Sequence, residues 1–584
     1  MKKIILLLLL SPSFSAFANT INLYADSVHA PFYYGVASGD PTANSVIIWT
    51  HITSLQPSET VAYEVASDSL FTTLVSNGTF TTKDSLDYTV TIDVGGLLAN
   101  STYYYRFKNN NKTSAIGRTR TAPSGTSNEV KFAVISCSSV YSGYFNSYRN
   151  IASRDDLNAV IHLGDYIYED RVLNEEVRFP DNPPALPQNI QDWRTIHKFW
   201  LLDPDLRAAR QKHPFIQLWD NHDTDGLHFD CLESSEAFMN YVPVRQNPSN
   251  YQKIYRKLSY GNLLDVFILD VALWRGIDTI SGSDKSYLGN EQFQWFKNAI
   301  SNSTAKWKVV GSQKMFSTWS VGSTGGIVNS NAWDGFPLER TRVLNVIDSG
   351  NINNVVFISG DSHVSLAADV PYTPYDTTTY KKSTGFGSLC VEFAPASISR
   401  GNFNEKGLSA FLINTLLETS NLENLHHQYV ELTKHGYGIM SFNNDSLHAQ
   451  YYYCDILVNS NLNELGAALT LYDGENHWKR KDKIQTSIEN NESENNPNVV
   501  LSKLYPNPTD KDIQFDIALI NAEDVNVSIY QIINPKHINH KSTRTLKNIT
   551  KEHVSFSVAE LPAGVYILMV ESNSFYRGQL FIKQ

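Results

Sequence analysis

A multidomain protein of mixed class is predicted: an N-terminal β-sandwich, a central α/β domain and a small C-terminal β-sandwich. Three observations predict it. The 584 residues exceed what one hydrophobic core serves and point to about three or four domains. Residues 22–122, and again those after 500, are short runs of β-branched and aromatic residues separated by Gly, Asp, Asn and Pro. Residues 129–480 instead alternate short apolar runs ending in polar residues with helical stretches, the pattern of a sheet with helices packed on it. With 42% hydrophobic and 18% charged residues, the composition is that of a folded chain.

Taken in order, the chain opens as an export signal. Lys2 and Lys3 precede an apolar run at 4–10, and Ala16-Phe17-Ala18 supplies small residues for cleavage after Ala18. That run is too short to span a bilayer, and no later stretch reads as a transmembrane helix, so the exported protein is expected to be soluble. Runs at 46–49, 61–65, 88–94 and 103–107 are the strands of the N-terminal domain, with Gly39-Asp40-Pro41 among the separators. The arrangement resembles a sandwich of the fibronectin or immunoglobulin kind. Thr121-Ala122-Pro123-Ser124-Gly125-Thr126 marks a linker.

In the central domain the polar ends of the apolar runs carry the interest. Residues 130–135 lead into Ser136-Cys137, 160–163 into Gly164-Asp165, and 215–219 into Asp220-Asn221-His222. Likewise 266–269 lead into Asp270, 309–310 into Gly311-Ser312-Gln313, and 355–358 into Ser359-Gly360-Asp361-Ser362-His363. Strands alternating with helices suggest βαβ-like units. Ligands of such sheets sit beyond the strand ends, so these tips are expected to converge on one site. Residues 485–498, dominated by Asn, Glu and Ser, read as a disordered linker. Strands at 513–517, 525–530, 554–558, 565–570 and 579–582 follow, with no chemistry-bearing cluster. The Tyr103-Tyr104-Tyr105 and Tyr451-Tyr452-Tyr453 runs read as strand packing.

The formal net charge of −11 argues against nucleic acid or an anionic membrane as partner, and no nucleic-acid-binding site is predicted. An anionic substrate remains open, because a buried cation overrides net charge locally. Four cysteines occur, Cys137, Cys231, Cys390 and Cys454. In an exported protein one or two disulfides are the ordinary reading.

Three motifs carry chemistry. In Gly164-Asp165-Tyr166-Ile167-Tyr168-Glu169 the glycine permits a tight turn after a buried strand. Asp165 then projects from the tip, where a carboxylate can bridge two hard cations. Tyr168 can return to the same metal, and phenolate suits Fe(III). The bland alternative is a turn aspartate beside a packed tyrosine. In Asp220-Asn221-His222-Asp223 the Asn221 amide oxygen is a neutral ligand. His222, with an unperturbed pKa of about 6.5, can meet a phosphate or leaving oxygen and transfer a proton. Its bland alternative is a capped helix N-terminus. In Gly360-Asp361-Ser362-His363 the i, i+2 spacing, in extended chain, puts Asp361 and His363 on one side, which suits one or two neighbouring metals.

GDxxY, then (N/D)H(D/E), then GDxH, each after a strand-like run, resemble the calcineurin-like metallophosphoesterase superfamily. Its first motif is usually Asp-x-His; here the preceding strand ends in Ser136-Cys137-Ser138-Ser139. A cysteine there, with GDYIYE following, resembles the alkaline phosphatase D (PhoD-like) branch, in which a thiolate is an iron ligand. The alternatives for Cys137 are a disulfide with Cys231, Cys390 or Cys454, or a buried free thiol. Residues 32–49 and 235–245, Tyr287-Leu288-Gly289 with Gln292 and Trp295, Trp333-Asp334-Gly335-Phe336-Pro337 and Glu392-Phe393 carry the same resemblance over roughly 30–450. One departure stands out: the family's Asp-Asp-His-Glu is Asp220-Asn221-His222-Asp223 here, and the shorter Asp223 is expected to alter a contact behind the ligands.

The resemblance implies an αββα sandwich for the central domain. It implies Fe(III) held by Cys137, Asp165, Tyr168 and His363, and Ca2+ held by Asp165, Asn221 and Asp361, with His363 and Asp361 exchangeable and Mn2+, Zn2+ or Mg2+ as alternatives to calcium. His222 and Asn221 are then the catalytic pair, His222 meeting the phosphate. The implied reaction is hydrolysis of small phosphate esters by a metal-activated hydroxide in line with the leaving oxygen. Leu504-Tyr505-Pro506-Asn507-Pro508 and Leu561-Pro562-Ala563-Gly564-Val565-Tyr566 resemble the sorting domain of type IX secretion cargo, implying that machinery as a partner and a secreted or cell-surface location. The expected divisions are a signal at 1–18, β-sandwich at 22–122, catalytic domain at 129–480, linker at 485–498 and sorting domain at 500–584. Two other functions compete. One is a purple acid phosphatase-like monoesterase, against which Cys137 counts. The other is a non-catalytic adhesion or glycan-binding protein, against which the filled ligand positions count.

Overall fold

The computed structural model describes residues 23–171, 178, 183–224, 226, 231–247, 249–281, 284–320, 330–405, 410–480, 499–502, 504, 509–534, 537–572 and 576–583. The expected export signal and the 485–498 linker lie outside the described residues. No described helix is long and apolar enough to cross a membrane.

The N-terminal strands form where β-branched and aromatic residues fit a pleated, half-buried surface. Along Thr102–Asn109 every second residue is buried, so Tyr103 and Tyr105 face inward with Phe107. Ser58–Ala66, Leu74–Lys83, Thr102–Asn109, Lys112–Thr113 and Gly117–Arg120 make one sheet; Val36–Gly39, Ser45–His51 and Thr89–Gly95 make a second layer. Val46, Ile48, Val90 and Val94 from one share a core with Val61, Val65, Tyr105 and Phe107 from the other. The second layer does not end there. Val36–Gly39 pairs in parallel with Pro214–Gln217, so these three strands extend the central domain's sheet to ten. Asp40, in what reads as a mere separator, is fully buried at this junction. Its carboxylate takes the Arg256 guanidinium at 2.6 Å and the Arg245 backbone N–H at 2.7 Å.

Two sheets stack in the centre. The first contains Glu129–Ile135, Ala159–His162 and Pro214–Gln217, all parallel. The second runs Arg256–Tyr260, Leu264–Ile268, Trp307–Ser312, Val355–Ser359, Ser388–Ala394, Ser365–Pro371, His427–Glu431. Val134, Ile161 and Ile216 from one meet Ile268, Val309, Val356 and Phe393 from the other. Strands covered on both faces read as continuous apolar runs, which is why Leu264–Ile268 is buried at every position. Helices cover the outer faces. Ile190–Trp200, capped by the Asn189 side chain, and Pro204–Lys212, capped by Asp203 with proline at its start, lie over the first sheet. Gly289–Ser301 and Pro337–Ser349 lie over the second.

Strand–helix alternation does not persist as expected. Ser365–Pro371 joins its neighbours antiparallel. His435–Asn443, Ser446–Cys454 and Glu464–Tyr472 form an antiparallel meander on the first sheet. Connections as short as Asn443 to Ser446 leave no length for the crossover a parallel pair needs.

In the C-terminal segment the expected runs 513–517 and 525–530 merge into one strand, Asp512–Asn534, whose register against His537–Ser557 is broken between Ala518 and Val525. Gly564–Glu571 and Tyr576–Lys583 complete the sheet over a core of Phe515, Val527, Ile529, Val554, Tyr566, Leu568 and Phe581. None of the four cysteines forms a disulfide; Cys390 lies under the second sheet's helices and Cys454 beside Asn150.

Candidate metal centre

The parallel registers set the strand ends level. Ile135 pairs with His162 and His162 with Gln217 in one sheet, and Ser312 with Ser359 in the other. The residues just beyond these ends therefore face each other across the top of the sandwich. Gly164 has φ +101°, and a Cβ on it would stand 2.7 Å from Asp220 Cβ. At Gly360 a Cβ would stand 2.9 Å from the Leu163 carbonyl oxygen and 3.1 Å from Ser136 Cβ. Only glycine lets these tips approach so closely.

Four expected ligands adopt the left-handed backbone that non-glycine residues avoid: Cys137 (φ 58°), Asp165 (52°), Asp361 (62°) and His363 (61°). Each costs ~1–3 kcal/mol, and such residues gather where function over-determines the backbone. The extended conformation expected for 361–363 is thus corrected. Asp361 and His363 reach the site from a tight loop after Val355–Ser359, because the strand must turn sharply under the opposite sheet.

Cys137, Asp165 and His363 place donor atoms within 4.8 Å of one another, all buried. Cys137 Sγ is 3.7 Å from Asp165 Oδ2. The Tyr168 hydroxyl donates to the same oxygen at 3.0 Å and lies 3.4 Å from His363 Nε2. His363 Nδ1 donates to the Gly401 carbonyl oxygen at 2.8 Å, which turns the Nε2 lone pair toward the cluster. Burial, then Asp165 and Cys137, hold the Tyr168 phenol well above its ordinary pKa.

Asp361 and Asn221 fall in an adjoining pocket, with Asp220. Here sequence reasoning missed a residue: Lys314, just past Trp307–Ser312. Its Nζ lies 2.8 Å from Asp220 Oδ2, 2.8 Å from Asp361 Oδ1 and 2.9 Å from Asn221 Oδ1. Burial pulls its pKa down, but Asp220, Asp361 and Asp165 outweigh that and hold it well above the ordinary lysine value. Burial pushes Asp220 up to about 7, with Lys314 opposing and Asp165 and Asp361 adding. The polar tip Gly311-Ser312-Gln313 was the available signal for Lys314.

His222 borders the first group: its backbone N–H donates to Asp165 Oδ1 at 3.4 Å, and with Glu169 and Asp170 it forms a further group of potential donors. Its Nδ1 is 2.7 Å from Glu169 Oε2, and its ring lies over that of Tyr168 at 4.2 Å. Burial lowers its pKa, but Asp165 and the Glu169 hydrogen bond more than offset this and raise it. The Arg400 guanidinium lies over the Tyr168 ring at 4.4 Å and 3.3 Å from the Asp170 carboxylate. It comes from a loop with no motif, so nothing in the sequence marked it. Asp223 sits behind the GDYIYE turn and accepts the backbone N–H groups of Tyr166, Ile167 and Asp220 at 3.0, 3.0 and 2.9 Å.

A buried Cys/Asp/Tyr/His cluster at the tips of two facing sheets, with the carboxylates of Asp165, Asp220 and Asp361 grouped beside it, could hold metal ions. The model of the PhoD-like phosphatase family matches residues 132–226 and 231–451, and that of its N-terminal domain matches 18–123. The chain belongs to the PhoD-like phosphatase family. Alkaline phosphatase D of Bacillus subtilis (strain 168) is 33% identical over 415 residues, which are 64% of this chain and 70% of that protein. A solved structure described as "Structure of PhoD" aligns with a TM-score of 0.69 and 29% identity, over 77% of this chain and 92% of that one. The chain is accordingly a phosphate-ester hydrolase, and the purple acid phosphatase and adhesion readings fall away. Residues 503–583 match a secretion system C-terminal sorting domain, of the type IX kind, so the protein is exported to the cell surface or beyond.

Proposed function

We propose that the protein is an exported alkaline phosphatase or phosphodiesterase whose first cation is Fe(III), held by Cys137, Asp165, Tyr168 and His363. The observation that carries this is the donor set itself: a thiol, a carboxylate, a phenol and an imidazole converge from three strand tips, in a buried cluster. A soft thiolate with a hard phenolate and carboxylate suits iron(III) better than calcium or magnesium. Iron bound there would supply Lewis acidity toward the phosphate and the attacking water.

The chain's own residues do the rest. With Nδ1–H given to Glu169, His222 in its protonated form would present Nε2–H to the phosphate and give that proton to the leaving oxygen. Water's oxygen would join phosphorus as the ester P–O bond breaks, its proton passing to solvent while the leaving oxygen takes the Nε2 proton of His222. The expected calcium set of Asp165, Asn221 and Asp361 also gathers, but its pocket surrounds the ammonium of Lys314. The finer layout goes with this reading: an export signal at 1–18, an immunoglobulin-like sandwich at 22–122, the catalytic domain at 129–480, a linker at 485–498 and the sorting domain at 500–584.

The test is elemental analysis with a visible spectrum of protein expressed with iron, beside Tyr168→Phe and Cys137→Ala. One iron per chain, with a phenolate charge-transfer band lost in Tyr168→Phe, is expected. Colourless, iron-free wild type overturns the assignment.

A further inference from the structure

In the second pocket the buried carboxylates of Asp165, Asp220 and Asp361 bring oxygens within 4.8 Å of one another, a set fit for a cation, and Lys314 already stands among them. Its oxygens from Asp220, Asn221 and Asp361 stand 2.8–2.9 Å from Lys314 Nζ. That is the spacing of an ammonium among acceptors, and an ammonium has three donors for three oxygens. A calcium ion draws its oxygens to about 2.3–2.6 Å. The two cations claim the same space, so one excludes the other unless the lysine withdraws.

Withdrawal is obstructed. The Lys314 side chain is 3% exposed. The turn that carries it is pinned from both sides. Ser312 Oγ donates to the Lys314 carbonyl oxygen at 2.9 Å. The buried Glu392 carboxylate accepts the backbone N–H groups of Phe316 and Ser317 at 2.7 Å each, and takes the Ser359 hydroxyl as well. Glu392 thereby ties the Lys314 turn to the strand that delivers Asp361.

We propose that in this chain the Lys314 ammonium is the resident cation of the second position and works beside a single metal ion in the first. There it offers a phosphate oxygen the positive charge that a divalent ion would otherwise bring. The inference rests on the metal-dependent reading above. It makes this member of the family an enzyme of one metal and one lysine.

The experiment is calcium titration by calorimetry, with elemental analysis, on full-length iron-loaded wild type and on Lys314→Met and Lys314→Arg. Wild type should hold iron and take up no stoichiometric Ca2+. Lys314→Met should gain one bound Ca2+ per chain, at least about tenfold tighter than any uptake by wild type. Lys314→Arg should resemble wild type. Stoichiometric Ca2+ on wild type overturns the inference whatever the variants do, so a Lys314→Met that fails to fold does not rescue it. Absence of Ca2+ from a folded Lys314→Met also overturns it, since the pocket would then be no cation site. Loss of iron from wild type strikes the first-site reading instead and is visible separately.

Discussion

Asp223 is the residue through which the second motif holds the first. Its carboxylate seats three buried backbone N–H groups, of Tyr166, Ile167 and Asp220, and so fixes the turn that presents Asp165 and Tyr168. In Asp223→Asn, Oδ1 still serves Tyr166 and Ile167, but an amide NH2 faces the Asp220 N–H. One buried donor is orphaned, at about 1–3 kcal/mol. In Asp223→Ala all three are orphaned, about 3–9 kcal/mol by the same figure. Much of that loss falls on the turn, and each ~1.4 kcal/mol that displaces Asp165 and Tyr168 weakens a ligand held there about tenfold. The assay is iron retained per chain after dialysis against a chelator, with the melting temperature. The expected order in both is wild type, then Asn, then Ala. An alanine variant that keeps wild-type iron and melting temperature refutes the reasoning.

Other consequences are open to measurement. His222→Asn should lower kcat by roughly 10²–10⁴-fold while iron content stays at the wild-type level; equal loss of both would place His222 among the ligands instead. His197 is buried, stacked on Tyr241 at 5.3 Å and without a hydrogen-bond partner on either nitrogen among the described residues. Burial pushes its pKa down to about 3, so the folded state binds fewer protons than the unfolded one below an unfolded value of about 6.5. Its contribution is full above pH 6.5 and is lost as pH falls, by about 2 kcal/mol at pH 5 from 1.36 kcal/mol per unit. His197→Phe should flatten the fall in melting temperature between pH 7 and 5, and an unchanged slope would count against it. Denatured protein should titrate four free thiols without reductant. In iron-loaded native protein the half-exposed Cys231 should react first, since burial raises the Cys390 and Cys454 thiols, the latter to about 11; native protection of Cys231 would contradict the exposure seen.

Much of the architecture could be read from residues alone because burial on both faces of a strand writes itself as an apolar run. The strands that end at Ile135, His162, Gln217 and Ser359 were visible for that reason, and so were the tips that follow them. The antiparallel half of the central domain was less legible, since its pairing depends on which strand lies alongside and not on any local pattern. The continuity of the N-terminal strands with the central sheet was hidden in the same way, resting on Ser38 and Gly39 against Pro214 and Phe215.

At the site, the sequence by itself determined which residue types stand at the strand ends: Cys137, Asp165, Tyr168, Asn221, His222, Asp361 and His363. Chemistry and spacing made those recognisable. Only the tertiary structure decided how they divide. It drew Cys137, Asp165, Tyr168 and His363 into one cluster, set His222 against Glu169, and gave Asp361 and Asn221 to Lys314. Residues far apart in the chain meet there because two sheets stack with their parallel ends level. A lysine beyond one strand tip carries no sign in the sequence of the carboxylates that the opposite sheet will bring to it.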